Sequence, residues 1–297
     1  MKRRIVQHGS QSLTITLPYD WVRRYGLSKG DELDVEDQGS TLVIRTESEQ
    51  TGQSKEINCR KGRFFTKNNL SHLYQLGYDE IRITDADPKV LQGVVDRIPD
   101  CIGFEILDRG RGTLHVKSIA STIEEEFETL LRKAFRLTNE MAEGIRDILS
   151  RKAFEELADL RELERLNNRF TDVCIRILNK RGHRARPMQM YEVVKNVERI
   201  ADEFKHICDI PFTTGLSEDA RQASHDAAGY YLSFYELFYK EDEAVKKRLF
   251  DERKRLTGDY KELLSRSTGP DTLLLHHSMN IVEKTFQAIG GYCAYTL

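Results

Sequence analysis

The sequence has little of what marks a secreted, disulfide-bonded or membrane protein. Its 297 residues include five cysteines, which are widely scattered and show no Cys-x-x-Cys spacing. Such cysteines indicate buried thiols rather than a disulfide framework or a zinc site. No apolar run approaches the ~18 residues that a membrane helix needs, and the first residues lack the apolar stretch of a signal peptide. We therefore expect a soluble, cytoplasmic protein.

The motifs of the common enzyme classes are also missing. The chain has no Ser-His-Asp order, no Walker phosphate loop and no dinucleotide-binding fingerprint. Gly110 and Gly112 stand in a hairpin-like stretch with no helix after them, which is not the pattern of a phosphate-binding loop. The sequence identifies no nucleophile or base that could serve metal-dependent hydrolysis at a carboxylate cluster. We expect a protein that is not an enzyme.

Charge is nearly balanced over the whole chain but not along it. The 46 Lys and Arg against 48 Asp and Glu give a net charge of −2, so the chain as a whole is not a basic nucleic-acid binder. Residues 1–30, by contrast, hold six basic residues and only one acid, Asp20. The acids concentrate in the next stretch, 31–37. This polarity gives the N-terminal segment a basic part and an acidic part.

The N-terminal segment is predicted to be a compact unit of short strands around a short helix. Leucine and isoleucine alternate with threonine over residues 13–17, which is typical of a half-buried strand. Pro18 at a first helical position and Gly26 just past the end bracket the helix. Gly39 then marks a final hairpin. Because so short a unit cannot bury a sufficient core alone, we expect a second copy to complete it.

This pattern, from Lys2-Arg3-Arg4-Ile5-Val6 to Leu42-Val43-Ile44, resembles the AbrB/MazE/SpoVT family of DNA-binding swapped-hairpin domains. The resemblance implies a homodimer through residues 1–47, with a basic surface for double-stranded DNA across the two chains. The residues assigned to DNA contact are Lys2, Arg3, Arg4, Ser10, Arg23, Arg24 and Lys29. The alternative is that these are solvated surface charges, with Arg23 and Arg24 matching the dipole at the end of the helix.

Strands and helices are predicted to alternate in the middle of the chain. A polar stretch, Glu47 to Glu56, indicates a linker. After it the pattern predicts a small α/β domain over 56–119, which we expect to be ferredoxin-like. Its predicted strands are 56–59, 80–84, 103–107 and 114–119, and its predicted helices are 69–76 and 89–97.

The remainder, 120–297, is predicted to be helical throughout. Breaks near Ser150, Gly182, Pro211, Lys240 and Gly269 divide it into helices of roughly 20–30 residues, and Thr122 is the expected cap of the first. Long helices with short connections favour antiparallel bundles. The predicted fold class is therefore multidomain α+β, with a swapped-hairpin β domain, a small α/β domain and a C-terminal all-α domain. The last comprises two three-helix bundles, 120–211 and 217–297.

Two segments in the helical part show a faint internal duplication. Val197-Glu198-Arg199-Ile200-Ala201-Asp202 and Val282-Glu283-Lys284-Thr285-Phe286-Gln287 each place a polar residue four positions after an acid. This resembles PhoU, whose two three-helix bundles each have a Glu/Asp-x-x-x-Asp motif. Gln287 departs from that motif, since it replaces a carboxylate. With the AbrB-like head, the chain resembles archaeal phosphate-uptake regulators.

The combined resemblance implies a transcriptional regulator of phosphate uptake, with phosphate transporter or sensor proteins as partners. One alternative is a PhoU-like adaptor that modulates such a partner and uses the head only for oligomerisation. An antitoxin-like regulator is a second alternative, but a short disordered tail would be expected there.

A metal site is predicted in the helical part. Glu198 and Asp202 share one helix face, and the PhoU resemblance implies a divalent or iron-type metal ion bound by such carboxylates. The predicted ligands are Asp159, Glu162, Glu198, Asp202 and Glu283. His276, Asn280, Glu283 and Gln287 also form a polar stripe that suits a transition metal. A salt-bridged helix face, with Arg199 and Lys205 as the cations, explains the same acids without metal.

Overall fold

The structure is a computed structural model that describes residues 2–9, 12–37, 39–46, 53–60, 65–119, 126–181, 186–212 and 215–297. The chain divides into two compact units, Met1–Gln53 and Ser54–Leu297, called here the N-terminal and C-terminal units. The C-terminal unit contains both the α/β elements and the helices, so the predicted boundary between 119 and 120 lies inside it. That finer division stays a prediction.

The N-terminal unit contains two antiparallel hairpins and a short helix. Strand β1 (Val6–His8) pairs with β2 (Ser12–Thr14). Helix α1 (Tyr19–Arg24) follows, and β3 (Leu33–Asp37) then pairs with β4 (Leu42–Thr46). The predicted β-hairpin region at the N-terminus is confirmed.

Glycine and aspartate form the turns of the N-terminal unit. Gly26 has a φ of +62° just past α1, and the amide of Leu27 donates to the carbonyl of Val22 at 3.0 Å. This reversal ends the helix at the predicted position. The Asp31 carboxylate accepts from the Ser28 amide at 2.8 Å and so closes the turn before β3.

A four-stranded sheet opens the C-terminal unit. Its elements are β5 (Ser54–Asn58), α2 (Lys67–Gln75), β6 (Glu80–Thr84), α3 (Pro88–Arg97), β7 (Phe104–Gly110) and β8 (Thr113–Ser118). The strand order is β5-β6-β8-β7, with β5 parallel to β6 and the remaining pairs antiparallel. Alternating residues such as Ile81 and Ile83 are buried on one face.

Two expectations for this region are wrong. The layer is not ferredoxin-like, because its chain order is strand-helix-strand-helix-strand-strand, whereas a ferredoxin-like domain places two strands between its helices. The linker is also shorter than predicted, because Ser54 already pairs with Glu80 at the start of β5. Residues 47–52 lie outside the described part of the chain.

The predicted helical region is confirmed, with six long helices within its described residues. They are α4 (Phe127–Arg151), α5 (Leu157–Arg181), α6 (Pro187–Cys208), α7 (Glu218–Lys240), α8 (Glu243–Arg266) and α9 (Pro270–Thr296). Pro187 and Pro270 each occupy a first helical position. The side chain of Asp242 caps α8 by accepting from the Ala244 amide at 2.8 Å. The predicted cap Thr122 is outside the described residues.

The helices pack as two sets of three. Helices α4, α5 and α6 contact one another, as do α7, α8 and α9, while α6 lies along α9 and α4 packs on α7. The α6–α9 contact is close, because a Cβ added to Gly291 would lie 3.1 Å from the carbonyl oxygen of Gln189. Side chains such as Phe135, Ile200 and Phe234 are fully buried in the core.

Helix α5 joins the sheet layer to the helices. The Arg176 side chain is 2% exposed and donates to the carbonyls of Tyr74 and Tyr78 at 2.9 and 2.7 Å. It also forms an ion pair with Asp79, which Lys180 contacts at 2.8 Å. These contacts hold α5 against the end of α2. Over the described ranges, the chain has no helix long and apolar enough to span a bilayer.

Candidate nucleic-acid interface and carboxylate residues

The basic residues predicted to contact DNA lie on three parts of the N-terminal unit. Residues 2–4 precede β1 and have no regular structure, Arg23 and Arg24 form the last turn of α1, and Lys29 is in the following turn. All six side chains are exposed. Ser10, the remaining predicted contact, lies outside the described residues.

These cations have no partner within the part of the chain that the structure describes. None of the six forms an ion pair there. Two nearby acids are engaged elsewhere, since Asp31 accepts from the Ser28 amide and Asp37 accepts from the Gly39 amide at 2.9 Å. Arg23 and Arg24 also suit the C-terminal end of the α1 dipole. These six cations therefore face solvent without an ion-pair partner among the described residues.

The N-terminal unit also exposes the apolar residues that its strands provide. Among its described side chains, none is buried. Leu13 is 70% exposed, Val35 60% and Leu42 64%. Trp21, the expected core anchor, is half-buried and contacts the ring of Tyr25 at 5.5 Å between centroids. A single copy of this unit has no described core of its own.

Two of the predicted metal ligands, both on α6, are paired with lysines. Glu198 forms an ion pair with Lys195, and Asp202 accepts from Lys205 at 2.7 Å. Lys205 also donates to Glu164 of α5 at 2.8 Å. Burial acts to lower the pKa of Lys205, but its hydrogen bonds to Asp202 and Glu164 outweigh burial and raise that pKa.

The other three predicted ligands are on α5 and α9. Glu283 on α9 pairs with Arg253 of α8 at 2.9 Å, and Asp159 and Glu162 are exposed on α5. Within the described ranges, no three His, Cys, Asp or Glu side chains are grouped so that they could hold a metal ion. Asp202 pairs with Lys205, as the salt-bridged alternative expects, whereas Glu198 pairs with Lys195 where Arg199 was expected. The metal site stays a prediction.

Glu203 was not identified from the sequence. Its side chain is 9% exposed and accepts from His277 Nδ1 at 2.7 Å and from Asn280 at 3.3 Å, and it forms an ion pair with Lys284. Burial acts to raise the pKa of Glu203, but the hydrogen bonds from His277 and Lys284 lower it to about 2. One signal was available, because Ile200, Glu203 and Ile207 follow the spacing of the buried face of α6.

Asp172 is a second buried acid that sequence reasoning missed. It lies on α5 with a side chain 5% exposed. It accepts from Gln75 of α2 at 2.6 Å, and Arg97 of α3 lies 3.4 Å away. Arg97 also contacts Asp100, which pairs with Arg165 of α5. Buried charge therefore links the sheet layer to the helices.

Comparison with known families finds one match in the N-terminal part of the chain. Residues 6–51 match the family described as "Antidote-toxin recognition MazE, bacterial antitoxin". The matched segment contains all four strands and the helix of the N-terminal unit. Residues 6–51 are therefore a MazE-like domain, which is consistent with the predicted DNA-binding head.

The match ends at residue 51, so the PhoU resemblance of 120–297 stays a prediction. Comparison with curated proteins found no match, and comparison with solved structures found none.

Proposed function

We propose that this protein is a dimeric DNA-binding transcriptional regulator of phosphate uptake. The MazE-like N-terminal unit would pair with a second copy and bind double-stranded DNA, and the helices would couple phosphate status to that unit. The observation that carries the proposal is a MazE-like domain with exposed apolar strands and unpaired cations.

Dimerisation is supported by the exposed strands. Leu13, Val35 and Leu42 are more than half exposed in one copy, although strand residues of this kind normally pack on a neighbour. Removing apolar surface from water stabilises an association by roughly 25 cal/mol per Å². A second copy of the unit has the same sequence, so it exposes the same apolar strand residues and can pack against the first.

DNA binding is supported by the exposed cations of the same unit. Duplex DNA is a dense line of phosphates, and a protein that binds it gains free energy by releasing the counterions. Arg3, Arg4, Arg23, Arg24 and Lys29 have no carboxylate partner among the described residues, so no internal ion pair must break first. A dimer would present two such sets.

The phosphate-related role depends on the PhoU resemblance. The packing of α4–α6 and α7–α9 as two sets of three helices supports it, since that is the arrangement the resemblance implies. A phosphate transporter or sensor protein would be the partner of this region, and a divalent or iron-type ion at Glu198 and Asp202 would be its ligand. Binding there would bias the two N-terminal units between two arrangements.

The DNA-binding proposal is tested by fluorescence anisotropy of a mixed-sequence duplex titrated with the full chain at several KCl concentrations. We expect the logarithm of the affinity to fall linearly with the logarithm of salt. Replacing Arg3, Arg4, Arg23 and Arg24 by Ala should flatten that slope by about one unit for each lost phosphate contact.

A matched variant controls for the loss of charge alone. Lys247, Arg248, Lys254 and Lys261 are four exposed cations on α8, and their replacement by Ala should leave the slope unchanged. Binding that is weak and independent of salt would instead favour the adaptor, in which the head serves only for oligomerisation.

A second candidate follows from the description of the matching family. Antidote–toxin recognition describes a protein partner, and an antitoxin-like role would give this unit a toxin as its target. The large packed region after the MazE-like unit argues against that role, because a short disordered tail would be expected. Co-expression with a toxin of the kind that this family recognises, with rescue of growth as the measurement, distinguishes the two.

A further inference from the structure

Four exposed cations lie around α3 in the sheet layer. They are Lys67 at the start of α2, Lys89 in the first turn of α3, Arg109 near the end of β7 and Arg111 in the turn between β7 and β8. We call this set the α3 surface. It is separate in sequence from the basic residues of the N-terminal unit that are assigned to DNA contact.

Contacts place α2 and β7 against the same stretch of α3. A Cβ added to Gly93 would lie 3.9 Å from the Cβ of Lys67, and the Arg109 guanidinium donates to the Gln92 side-chain oxygen at 3.0 Å. Lys89 precedes Gln92 by three positions and Gly93 by four, so these residues are neighbours on the helix surface. Three of the four cations therefore meet at the first half of α3.

The register of the sheet separates Arg109 from the acid next to it. Arg109 is opposite the buried Leu114, whereas Asp108 is opposite His115. Because successive residues of a strand point to opposite faces of the sheet, Asp108 lies on the face away from α3.

The fourth cation is in a turn that contacts the chain just before α3. The Ala86 amide donates to the Gly112 carbonyl at 3.1 Å, and α3 begins two residues later at Pro88. Since Arg111 directly precedes Gly112, this contact holds it near the N-terminal end of α3.

The acids close to α3 are engaged with other groups. Asp85 pairs with Arg60 at 3.4 Å. Asp87 caps the helix by accepting from a first-turn amide at 2.8 Å, and Asp96 accepts from the Gln92 side chain at 2.7 Å. No member of the α3 surface forms an ion pair within the described part of the chain. An anion can therefore reach these cations without breaking an ion pair.

The composition of the α3 surface suits a nucleic acid better than a protein. Specific protein interfaces have an apolar centre, whereas protein–DNA interfaces are more polar and much more positively charged. Among the large apolar side chains that the described chain exposes, none belongs to α3. Lysine and arginine are the side chains that neutralise DNA phosphates.

From this arrangement we propose that the α3 surface is a second contact of each chain with double-stranded DNA, made through the phosphates. Such a contact rests on the proposed function, because it requires that the chain binds DNA. It gives the C-terminal unit a direct part in that binding. Phosphate contacts of this kind add affinity and fix position, and they carry no sequence information themselves.

The salt dependence of DNA binding by the full chain tests this proposal. Fluorescence anisotropy of a mixed-sequence duplex is measured with Lys67, Lys89, Arg109 and Arg111 all replaced by Ala. The slope of log affinity against log salt should flatten by about one unit for each lost phosphate contact. This change should add to that caused by the four alanine substitutions in the N-terminal unit, because the two sets of contacts are separate.

Two further variants control for fold and for charge. Exchanging Lys for Arg and Arg for Lys at the four positions keeps the charges and should keep the wild-type slope. The α8 variant, with Lys247, Arg248, Lys254 and Lys261 replaced by Ala, loses the same number of exposed cations and should also keep it. Urea unfolding of the alanine variant of the α3 surface should match that of the wild type closely, because all four side chains are exposed.

The possible results separate this contact from the proposed function. If the substitutions in the N-terminal unit flatten the slope and those in the α3 surface do not, the second contact is refuted and DNA binding by the N-terminal unit stands. Equal flattening in the α8 variant would also refute it, because any lost charge would then act alike. Wild-type binding without salt dependence would refute both proposals. If the alanine variant of the α3 surface loses binding to poly-glutamate and keeps the DNA slope, the surface serves an acidic protein and the assignment to DNA is wrong.

Discussion

Asp172 of α5 accepts a hydrogen bond from Gln75 of α2 at 2.6 Å, across the contact between the helices and the sheet layer. The side chain is 5% exposed, and Arg97 lies 3.4 Å from its other oxygen. An acid this deeply buried makes the contact sensitive to its state of ionisation.

The first prediction concerns pH. Burial raises the pKa of Asp172 to about 6 despite the Gln75 hydrogen bond and Arg97, with Glu198 contributing to the increase and Lys195 opposing it. The pKa of Asp172 in the unfolded chain is 3.8. Between pH 3.8 and about 6 this carboxyl group is therefore protonated in the folded chain and ionised in the unfolded chain. The stability from this group is greatest at low pH and decreases as pH rises through about 6, by up to about 3 kcal/mol.

Asp172→Asn removes that titration while keeping the shape of the side chain. Urea unfolding at about pH 5 and about pH 7.5 should show the free energy of unfolding of the wild type decreasing more than that of the variant. Parallel pH profiles for the two proteins would show that Asp172 does not titrate in this range.

The second prediction concerns the buried guanidinium of Arg176. Arg176→Met would remove the buried guanidinium partner of the Asp79 carboxylate and leave the carbonyls of Tyr74 and Tyr78 without this donor. Loss of one partner of a buried ion pair costs about 3–5 kcal/mol, which urea unfolding would measure. Arg161→Met, which removes an exposed pair with Asp209, should cost about 1 kcal/mol or less. Similar costs for both variants would contradict the burial argument.

The third prediction tests the N-terminal dimer. Leu13→Ser with Leu42→Ser should raise the dissociation constant at least about a hundredfold, because each buried leucine contributes about 1.5–3 kcal/mol. Sedimentation equilibrium measures the change. Leu166→Ser with Leu273→Ser, at exposed positions of the C-terminal unit, is the control. A dimer that survives the first pair of substitutions does not use these strands.

The fourth prediction concerns the carboxylates of α6. If they hold a metal, elemental analysis of the purified chain should detect it, and Glu198→Ala with Asp202→Ala should remove it. Asp147→Ala with Glu156→Ala, two acids paired with the exposed Arg151, should retain it. Wild-type protein free of metal would end the proposal for Glu198 and Asp202.

Element boundaries were predicted well wherever the chain has strong local signals. Pro187 and Pro270 begin helices because the ring fits only the first turn, and Gly26 ends α1 because it adopts a positive φ. The order of strands in the sheet has no such local signal. It depends on β8 lying between β6 and β7, which is decided by packing.

The buried charges were missed for a related reason. Glu203 meets His277 across 74 positions of sequence, and Arg176 meets Tyr74 across 102. Helical spacing shows that such residues face inward. It does not identify the distant residue that pairs with a buried charge and offsets the cost of burying it. Neither group belongs to the motif that the PhoU resemblance emphasises.

Gly291 is the point at which α9 comes so near to α6 that a methyl group would meet the Gln189 carbonyl oxygen at 3.1 Å. A larger residue there would have to push one helix away from the other. The missing side chain of Gly291 therefore lets α9 approach α6 this closely, and alanine at this position would fit only after its neighbours shift by a few tenths of an ångström.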